Sequence, residues 1–385
     1  MKTMKLISMG VCAAAAAVGL VSVLAAADAT VTPSVYATGL EAPRGLRFGP
    51  DGYLYVAEAG TGGTNATTAK MCQQVPGPVG PYTGGLTGRI SKVGRNHVVT
   101  TVASRFPSTM DAQGDLIGVA DVAFLNGYLY AIVAGGGCSH GNPAHSTGVA
   151  LVNRNTGQWA MIADIGAYLK THPAKYESAD DFEPDGTLYS LIAANGQLYT
   201  VEPNHGQVFS VTQAGVIQQV IDISASQGHI VPTSIAELNG DFYVGNLNLF
   251  PIDPQWARVQ IISRSNDGAD ANAAPGFVND QEGYHIVDSK AGFTTVVAVD
   301  FGPDGLLYVL ELSDAAGYPT GGAGKVVRVT HSGEIEDVVT NLVVPTGMTF
   351  GPDGALYISN FGAIPAGAAP VGSGQILRAA VTPGW

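Results

Sequence analysis

Charge is scarce in this 385-residue chain: 13% of residues are Asp, Glu, Lys or Arg, and the basic ones are outnumbered 18 to 31. No cluster of lysines or arginines exists, and the net charge is −13. The chain therefore lacks the electrostatic footprint needed to hold nucleic acid or an anionic membrane surface. Cysteine is rarer still, at three residues, none in a CxxC pair. That excludes a disulfide-dense scaffold and a zinc ribbon. The eight histidines show no HxH or HxxxH spacing, so no ready-made transition-metal motif is present. No glycine-rich phosphate loop follows a strand and opens a helix, and Gly135-Gly136-Gly137 reads only as a flexible loop. What the chain has in quantity is turn formers, with Gly 51 and Pro 22. Low charge with many turn formers suits short strands joined by tight turns.

The turns recur in a pattern. FGPDG-x-LYV begins at Phe48, and close copies begin at Phe301 and Phe350. Degraded copies are Leu125-Asn126-Gly127 before Leu129-Tyr130, Ala194-Asn195-Gly196 before Leu198-Tyr199, and Leu238-Asn239-Gly240 before Phe242-Tyr243. Each is an apolar run, a glycine turn, then an aromatic and β-branched run, which is the signature of a hairpin. Six copies spread over the chain predict an all-β, six-bladed β-propeller. The spacing from turn to turn runs from 44 residues (Gly196 to Gly240) to 75 (Gly52 to Gly127). A four-stranded blade needs roughly 40 to 50, so the excess belongs in loops.

With strands named a to d from the axis outward, the extra length falls in the b–c and d–a loops, which topology places on one face. Such a loaded face is where a repeat protein usually binds. The last blade has no fourth strand before the chain ends, and an unmatched strand lies near Val35 to Ala37. Pairing it with the segment from Gln375 to Arg378 would close the ring and hide two open edges.

The first residues carry Lys2 and Lys5, an apolar run from Leu6 to Leu24, and small residues at Ala25-Ala26-Ala27 and Ala27-Asp28-Ala29. This predicts a signal peptide over residues 1–27, cleaved near 27–29, with the propeller domain spanning 30–385. An uncleaved anchor is the alternative reading of the same run. The expected product is exported, periplasmic or extracellular, monomeric and without a stable membrane span. It keeps Cys72 and Cys138, which an oxidising compartment would join as a disulfide. Two buried free thiols are the alternative.

Three residues beyond each strand-b tyrosine stand Glu58, Val133, Glu202, Asn246, Glu311 and Asn360. Five of these six carry oxygen ligands at the end of a strand next to the axis. With Asp121 of blade 2 they predict a ring suited to a hard cation, Ca²⁺ first. The competing reading has each acid or amide accepting backbone N–H groups of its own blade's loops. On the same face, histidines lie beside carboxylates: His140 in Cys138-Ser139-His140-Gly141, His205 in Val201 to Gly206, His229 in Ser226 to Thr233, and Asp181 in Asp180 to Glu183. These four are the candidates for acid–base chemistry near neutral pH. A loop histidine serving as a hydrogen-bonding post is the plainer reading.

The chain resembles the ScyD/ScyE family, exported proteins related to NHL-repeat six-bladed propellers. The resemblance rests on Pro43-Arg44-Gly45-Leu46, FGPDGYLYVAEAGTGG from Phe48, GCSHG at Gly137, DDFEPDG at Asp180, VEPNHG at Val201 and ISASQGHIVPT from Ile223. It implies export and a propeller. Two members are encoded with scytonemin pigment biosynthesis genes, but the family has no established reaction, so it supplies no catalytic residues. Two readings follow. One is a propeller that binds a small molecule or protein partner on its loaded face. The other is a Ca²⁺-dependent hydrolase, lactonase-like or an isomerase, working at the channel mouth.

Overall fold

The computed structural model describes residues 30–247, 256–264, 283–314, 324–382 and 384. The segment read as a signal peptide, and parts of the b–c loops of blades 4 and 5, lie outside the described residues. Among the described residues no helix is long and apolar enough to cross a membrane.

The strands form six antiparallel sheets arranged as a β-propeller. Blade 1 has strands a to d at Pro43–Phe48, Leu54–Glu58, Thr83–Val93 and Val99–Met110. Blade 2 runs through Val119–Leu125, Tyr128–Val133, Gly148–Val152 and Trp159–Asp164, and blade 3 through Leu191–Ala194, Gln197–Glu202, Gln207–Val211 and Ile217–Asp222. Blade 4 uses Pro232–Leu238, Asp241–Asn246, Arg258–Arg264 and Tyr284–Ala291; blade 5 uses Val296–Phe301, Leu307–Glu311, Gly324–Val329 and Ile335–Leu342. Blade 6 has Gly347–Phe350, Leu356–Asn360 and Gly374–Ala379, and its outer strand is Ser34–Leu40 from the other end of the chain. The closing register pairs Val35 with Leu377 and Thr38 with Gln375, which is the pairing expected.

The repeat motif explains how neighbouring blades recognise each other. In the three full copies, the Asp51, Asp304 and Asp353 carboxylates accept from the hydroxyls of Tyr55, Tyr308 and Tyr357 at 2.8, 2.9 and 3.1 Å. Each tyrosine ring then meets the next blade's motif phenylalanine edge-on: Tyr55 with Phe124, Tyr308 with Phe350, Tyr357 with Phe48. Such pairs contribute about 0.5–1.5 kcal/mol beyond the area they bury. The first glycine of the motif is demanded by this packing. A Cβ on Gly351 would lie 2.5 Å from the Tyr357 ring and 2.6 Å from the Asp353 carboxylate. The degraded copies turn differently, with Asn126-Gly127 at φ 51° and 81°, the two positive values of a tight hairpin turn.

The apolar core is correspondingly divided. Six buried clusters each join residues of two adjacent blades, for example Tyr55, Ile90 and Phe106 of blade 1 with Val122 and Leu129 of blade 2. Sandwiching on both faces leaves strand b with no polar alternation: every residue of Leu54–Glu58 and of Leu307–Glu311 is buried.

Blade 1 departs from the expected parse. A four-stranded blade would need only the part of its c and d strands up to the Arg89–Ser104 pair; they run on into a longer hairpin, pairing Thr83 with Met110 and adding short strands at Asn65–Ala66 and Leu116–Ile117. Irregular pairing around Gly85 and Gly88 lets the ribbon bend there and continue above the disc. The disulfide Cys72–Cys138 fastens the b–c loop of blade 1 to that of blade 2.

Candidate functional site

The loaded face is confirmed by what the strand-b termini bind. Glu58, Glu202, Glu311 and Asn360 each accept a backbone N–H from their own blade's d–a connection: Glu41 at 2.6 Å, Thr187 at 2.9 Å, Thr294 at 3.0 Å and Val343 at 2.8 Å. Asn246 instead takes Arg258 N at 3.0 Å and donates to the Trp256 carbonyl at 3.1 Å. Glu58 also pairs with Arg89, Nη2 to Oε2 at 2.7 Å. The repeated carboxylate or amide therefore pins the strand-b end to the loop that enters the same blade.

These oxygens are not gathered around a common point. Among the described residues no group of three or more His, Cys, Asp or Glu is placed to hold a metal ion. The carboxylates of the expected ring, Glu58, Glu202, Glu311 and Asp121, therefore do not converge three at a time on one ion. Tyr189 of blade 3 reaches the opposite blade 6, its hydroxyl donating to the Thr346 carbonyl at 3.4 Å. Asp121 sits elsewhere, against the start of blade 3, accepting Leu191 N and Val122 N at 2.8 Å each. Gly45 makes room for it, since a Cβ there would fall 1.9 Å from its carboxylate oxygen. Burial pushes the Asp121 carboxyl up to about 6, against the pull of Arg47 and of those N–H groups.

The histidines are gathered, by the long d–a insertion between blades 2 and 3. Asp164 caps a short helix, Ile165–Leu169, and the chain then crosses the face to Thr187. Glu183 on this insertion is buried between two other blades' loops. It accepts from Tyr82 of blade 1 at 2.5 Å and meets His140 Nε2 of blade 2 at 3.0 Å. His140 Nδ1 faces the Gly136 carbonyl at 2.6 Å. A carbonyl only accepts, so Nδ1 carries hydrogen and the Nε2–carboxylate contact shares one proton. Burial alone would lower His140, but the Glu183 carboxylate more than offsets that and holds it above the ordinary histidine value. Burial raises Glu183 despite His140 and Tyr82, and burial beside Glu183 drives Tyr82 well above an ordinary phenol.

His205 follows the same logic with a different outcome. Its Nδ1 lies 2.9 Å from Glu202 Oε2, and its own backbone N–H donates to that oxygen at 2.6 Å. Burial would lower its pKa, but Glu202 raises it above the usual range. In return, Glu202 is held below the usual carboxylate value: burial opposes this, and His205 with the two N–H groups overcomes it. His205 Nε2 has one charged neighbour, Glu177 Oε1, at 4.0 Å. His229 pairs with Asp181, Nε2 to Oδ2 at 2.7 Å.

A cleft of about 360 Å³ opens beside His205. Leu169, Pro173, Phe182 and Pro184 line it together with the polar Gln73, Lys170, Glu177 and Asp185, and the disulfide's Cys72 is among its lining residues. Its remaining charges neutralise each other, with Lys170 Nζ donating to Asp185 at 2.6 Å. Asp185 also accepts the backbone N–H and hydroxyl of Ser139. Burial would raise its carboxyl, but Lys170 and Ser139 hold it below the ordinary value.

Of the four acid–base candidates, the structure thus brings His205 to a cleft, pairs His229 with Asp181, and locks His140 in the interior. Sequence reasoning missed Tyr82, Glu177, Glu183 as a partner of His140, and Phe182. The DDFEPDG stretch that contains Phe182 and Glu183 was the available signal. Gly137-Cys138-Ser139-His140-Gly141, quoted above only for its histidine and its family resemblance, also has the G-x-S-x-G spacing of a nucleophile elbow. Here it is a b–c loop rather than a strand-to-helix turn, and Ser139 is fully buried on Asp185.

No protein-family model matches the chain, and no curated protein matches it in sequence. Solved structures do match in fold. A calcium-binding protein, regucalcin, from Agrobacterium tumefaciens is 13% identical, with 92% of this chain and 96% of that one covered and a TM-score of 0.54. A protein assigned as a gluconolactonase is 12% identical over 91% and 93%, with a TM-score of 0.51. The PQQ-bound aldose sugar dehydrogenase of Streptomyces coelicolor is 12% identical over 93% and 100%, with a TM-score of 0.50. At such identities the likeness establishes the six-bladed propeller fold and leaves the chemistry to the residues.

Proposed function

We propose that this is an exported propeller of the ScyD/ScyE type that acts as a monomer and binds a small molecule in the cleft between the loops of blades 1, 2 and 3. One observation carries the reading. A buried carboxylate, Glu202, fixes His205, and the imidazole lines a cleft in which Leu169, Pro173, Phe182 and Pro184 alternate with Gln73, Lys170, Glu177 and Asp185. A concavity that combines apolar walls with fixed polar groups is where a protein usually takes a small ligand. The disulfide at the cleft rim supports export, because such bonds persist in oxidising compartments.

A fragment screen read on the His205 ring resonances tests this. Compounds that shift those resonances should lose binding in Phe182→Ala and keep it in Glu311→Gln, far from the cleft. A screen in which no compound moves His205 would sink the reading.

A hydrolase or isomerase is the second reading, and the Glu202–His205 pair is its support. A carboxylate that holds one imidazole nitrogen leaves the other to take a proton from water or substrate. Turnover of lactones and esters, with and without Ca²⁺ and EDTA, would have to vanish in His205→Gln for that reading to stand.

A further inference from the structure

We propose that Asn195 is a site of spontaneous covalent modification, at which the side-chain amide is lost and an aspartate, α- or β-linked, takes its place. The degraded repeats close their a–b hairpins with Asn-Gly: Asn126-Gly127, Asn195-Gly196 and Asn239-Gly240. All three asparagines are exposed. All three turns have two positive φ values, 51° and 81°, 50° and 77°, and 57° and 96°, as a tight two-residue hairpin loop requires. None of the three glycines has a heavy atom within 4 Å of where a Cβ would stand, so space is open at each. Sequence and turn geometry therefore do not tell the three apart.

The chemistry needs two freedoms. The glycine backbone nitrogen gives up its proton and forms a bond to the asparagine Cγ. The bond from Cγ to the amide nitrogen breaks, and ammonia leaves with that proton. One water then opens the five-membered imide at either carbonyl. The asparagine amide must be free to swing onto the backbone, and the glycine nitrogen must be free to lose its proton.

Two of the turns withhold one of these freedoms. In blade 2, Asn126 Nδ2 donates to Gln213 Oε1 of blade 3 at 2.8 Å, and Arg154 donates to the Gly127 carbonyl at 3.2 Å. The amide that must move is tied to the next blade. In blade 4, the Gly240 N–H donates to Glu237 Oε1 at 2.6 Å. That carboxylate engages the attacking nitrogen, and its charge opposes the anionic form that attack requires. In blade 3, among the described residues, no hydrogen bond holds the Asn195 amide or the Gly196 nitrogen. Conversion there adds a negative charge, and in the β-linked product an extra backbone carbon, to the turn that sets Ala194 opposite Gln197. The same hairpin carries Glu202 at its far end.

Incubation of the mature protein in warm, mildly alkaline buffer tests this, with peptide mapping by electron-transfer mass spectrometry to separate α- from β-linked product. Asn195 should convert about fivefold faster than Asn126 and about tenfold faster than Asn239, the worth of one hydrogen bond between neutral groups and of one to a charged group. Gln213→Ala should bring Asn126 up to the Asn195 rate, and Glu237→Ala should do the same for Asn239. In urea, where the folded contacts are gone, the three should react alike. Asn126 or Asn239 keeping pace with Asn195 in the folded protein, the same ranking in urea, or an Asn195 that does not convert would each overturn the inference.

Discussion

Glu202 and Glu311 stand at the same place in the repeat, three residues after the strand-b tyrosine, and both are buried. Their environments drive them in opposite directions. Glu202 is held below the usual carboxylate value, because His205 and two backbone N–H groups outweigh its burial. Glu311 is raised, because burial outweighs Lys325 at 3.8 Å and the single N–H of Thr294. The position itself is a structural post that ties a strand to its entry loop. What else it touches depends on what the neighbouring loop brings, and among the described residues only blade 3 brings an imidazole to this post.

The sharpest way to break this contrast is to attack the network that the blade 3 insertion builds. Glu183→Ala removes the shared proton partner of His140 and the acceptor of Tyr82. It should cost about 3–5 kcal/mol in denaturant unfolding, as for a broken buried ion pair, while Glu183→Gln costs less. A loss below about 1 kcal/mol would show that the three loops hold without it.

The disulfide belongs to the same side of the face. Its 66-residue separation gives a chain-entropy contribution of about 4 kcal/mol. Replacing Cys72 and Cys138 by alanine should therefore lower stability by up to that amount and loosen the cleft. Unchanged melting would remove the staple from the comparison.

Titration sharpens the contrast further. His140 and His205 have folded values above their unfolded ones, so the stability they add is complete below about pH 6.5 and fades as pH rises through the folded values. Glu202 and Asp185 have lowered folded values; their share is present above about pH 4 and is lost on acidification through those values. Asp121 runs the other way. Its carboxyl, near 6, binds its proton more tightly when folded. Its contribution therefore rises as pH falls from about 6 to about 4, worth about 3 kcal/mol at most. Asp121→Asn should flatten the stability curve over that interval, and Glu202→Gln should lower the His205 pKa measured by NMR. A His205 titration unmoved by Glu202→Gln would separate the pair that the comparison depends on.

The smallest effect is expected at the plain post. Glu311→Gln keeps an acceptor for Thr294 N, so its stability at pH 7 should change by about 1 kcal/mol or less. Its melting should also be indifferent to EDTA and Ca²⁺. A clear chelator response lost in Glu311→Gln would instead return the strand-b oxygens to the role of metal ligands.

The blades were legible from sequence because their signals are local. A turn such as Phe48 to Gly52 and the tyrosine after it lie within a few residues, and the orphan strand at Val35 could be matched by counting. The positions of Glu58, Glu202, Glu311 and Asn360 were legible too, but their role was not. Each is held by an N–H 15 to 17 residues upstream, a distance at which sequence does not say whether an oxygen faces a loop or the axis. Glu183 with Tyr82 was harder still, since those residues are 101 positions apart and meet only because two insertions cross one face. The long blade 1 hairpin was obscured by Gly84 and Gly85, which lie in a stretch that reads as loop and form bent strand.

The closing strand has a consequence for the order of assembly during synthesis. Ser34 and Arg378 share a hydrogen bond across 344 positions of sequence. As the polypeptide is made, strand Ser34–Leu40 emerges long before its partner Gly374–Ala379, with five blades of sequence between them. For most of that interval blades 1 to 5 can pair within themselves while one strand waits with an unpaired edge. Contacts this distant in sequence form slowly, so a nascent chain stalled before Gly374 would carry an open edge able to capture a second chain. Closure of the ring therefore waits until all six blades have been delivered.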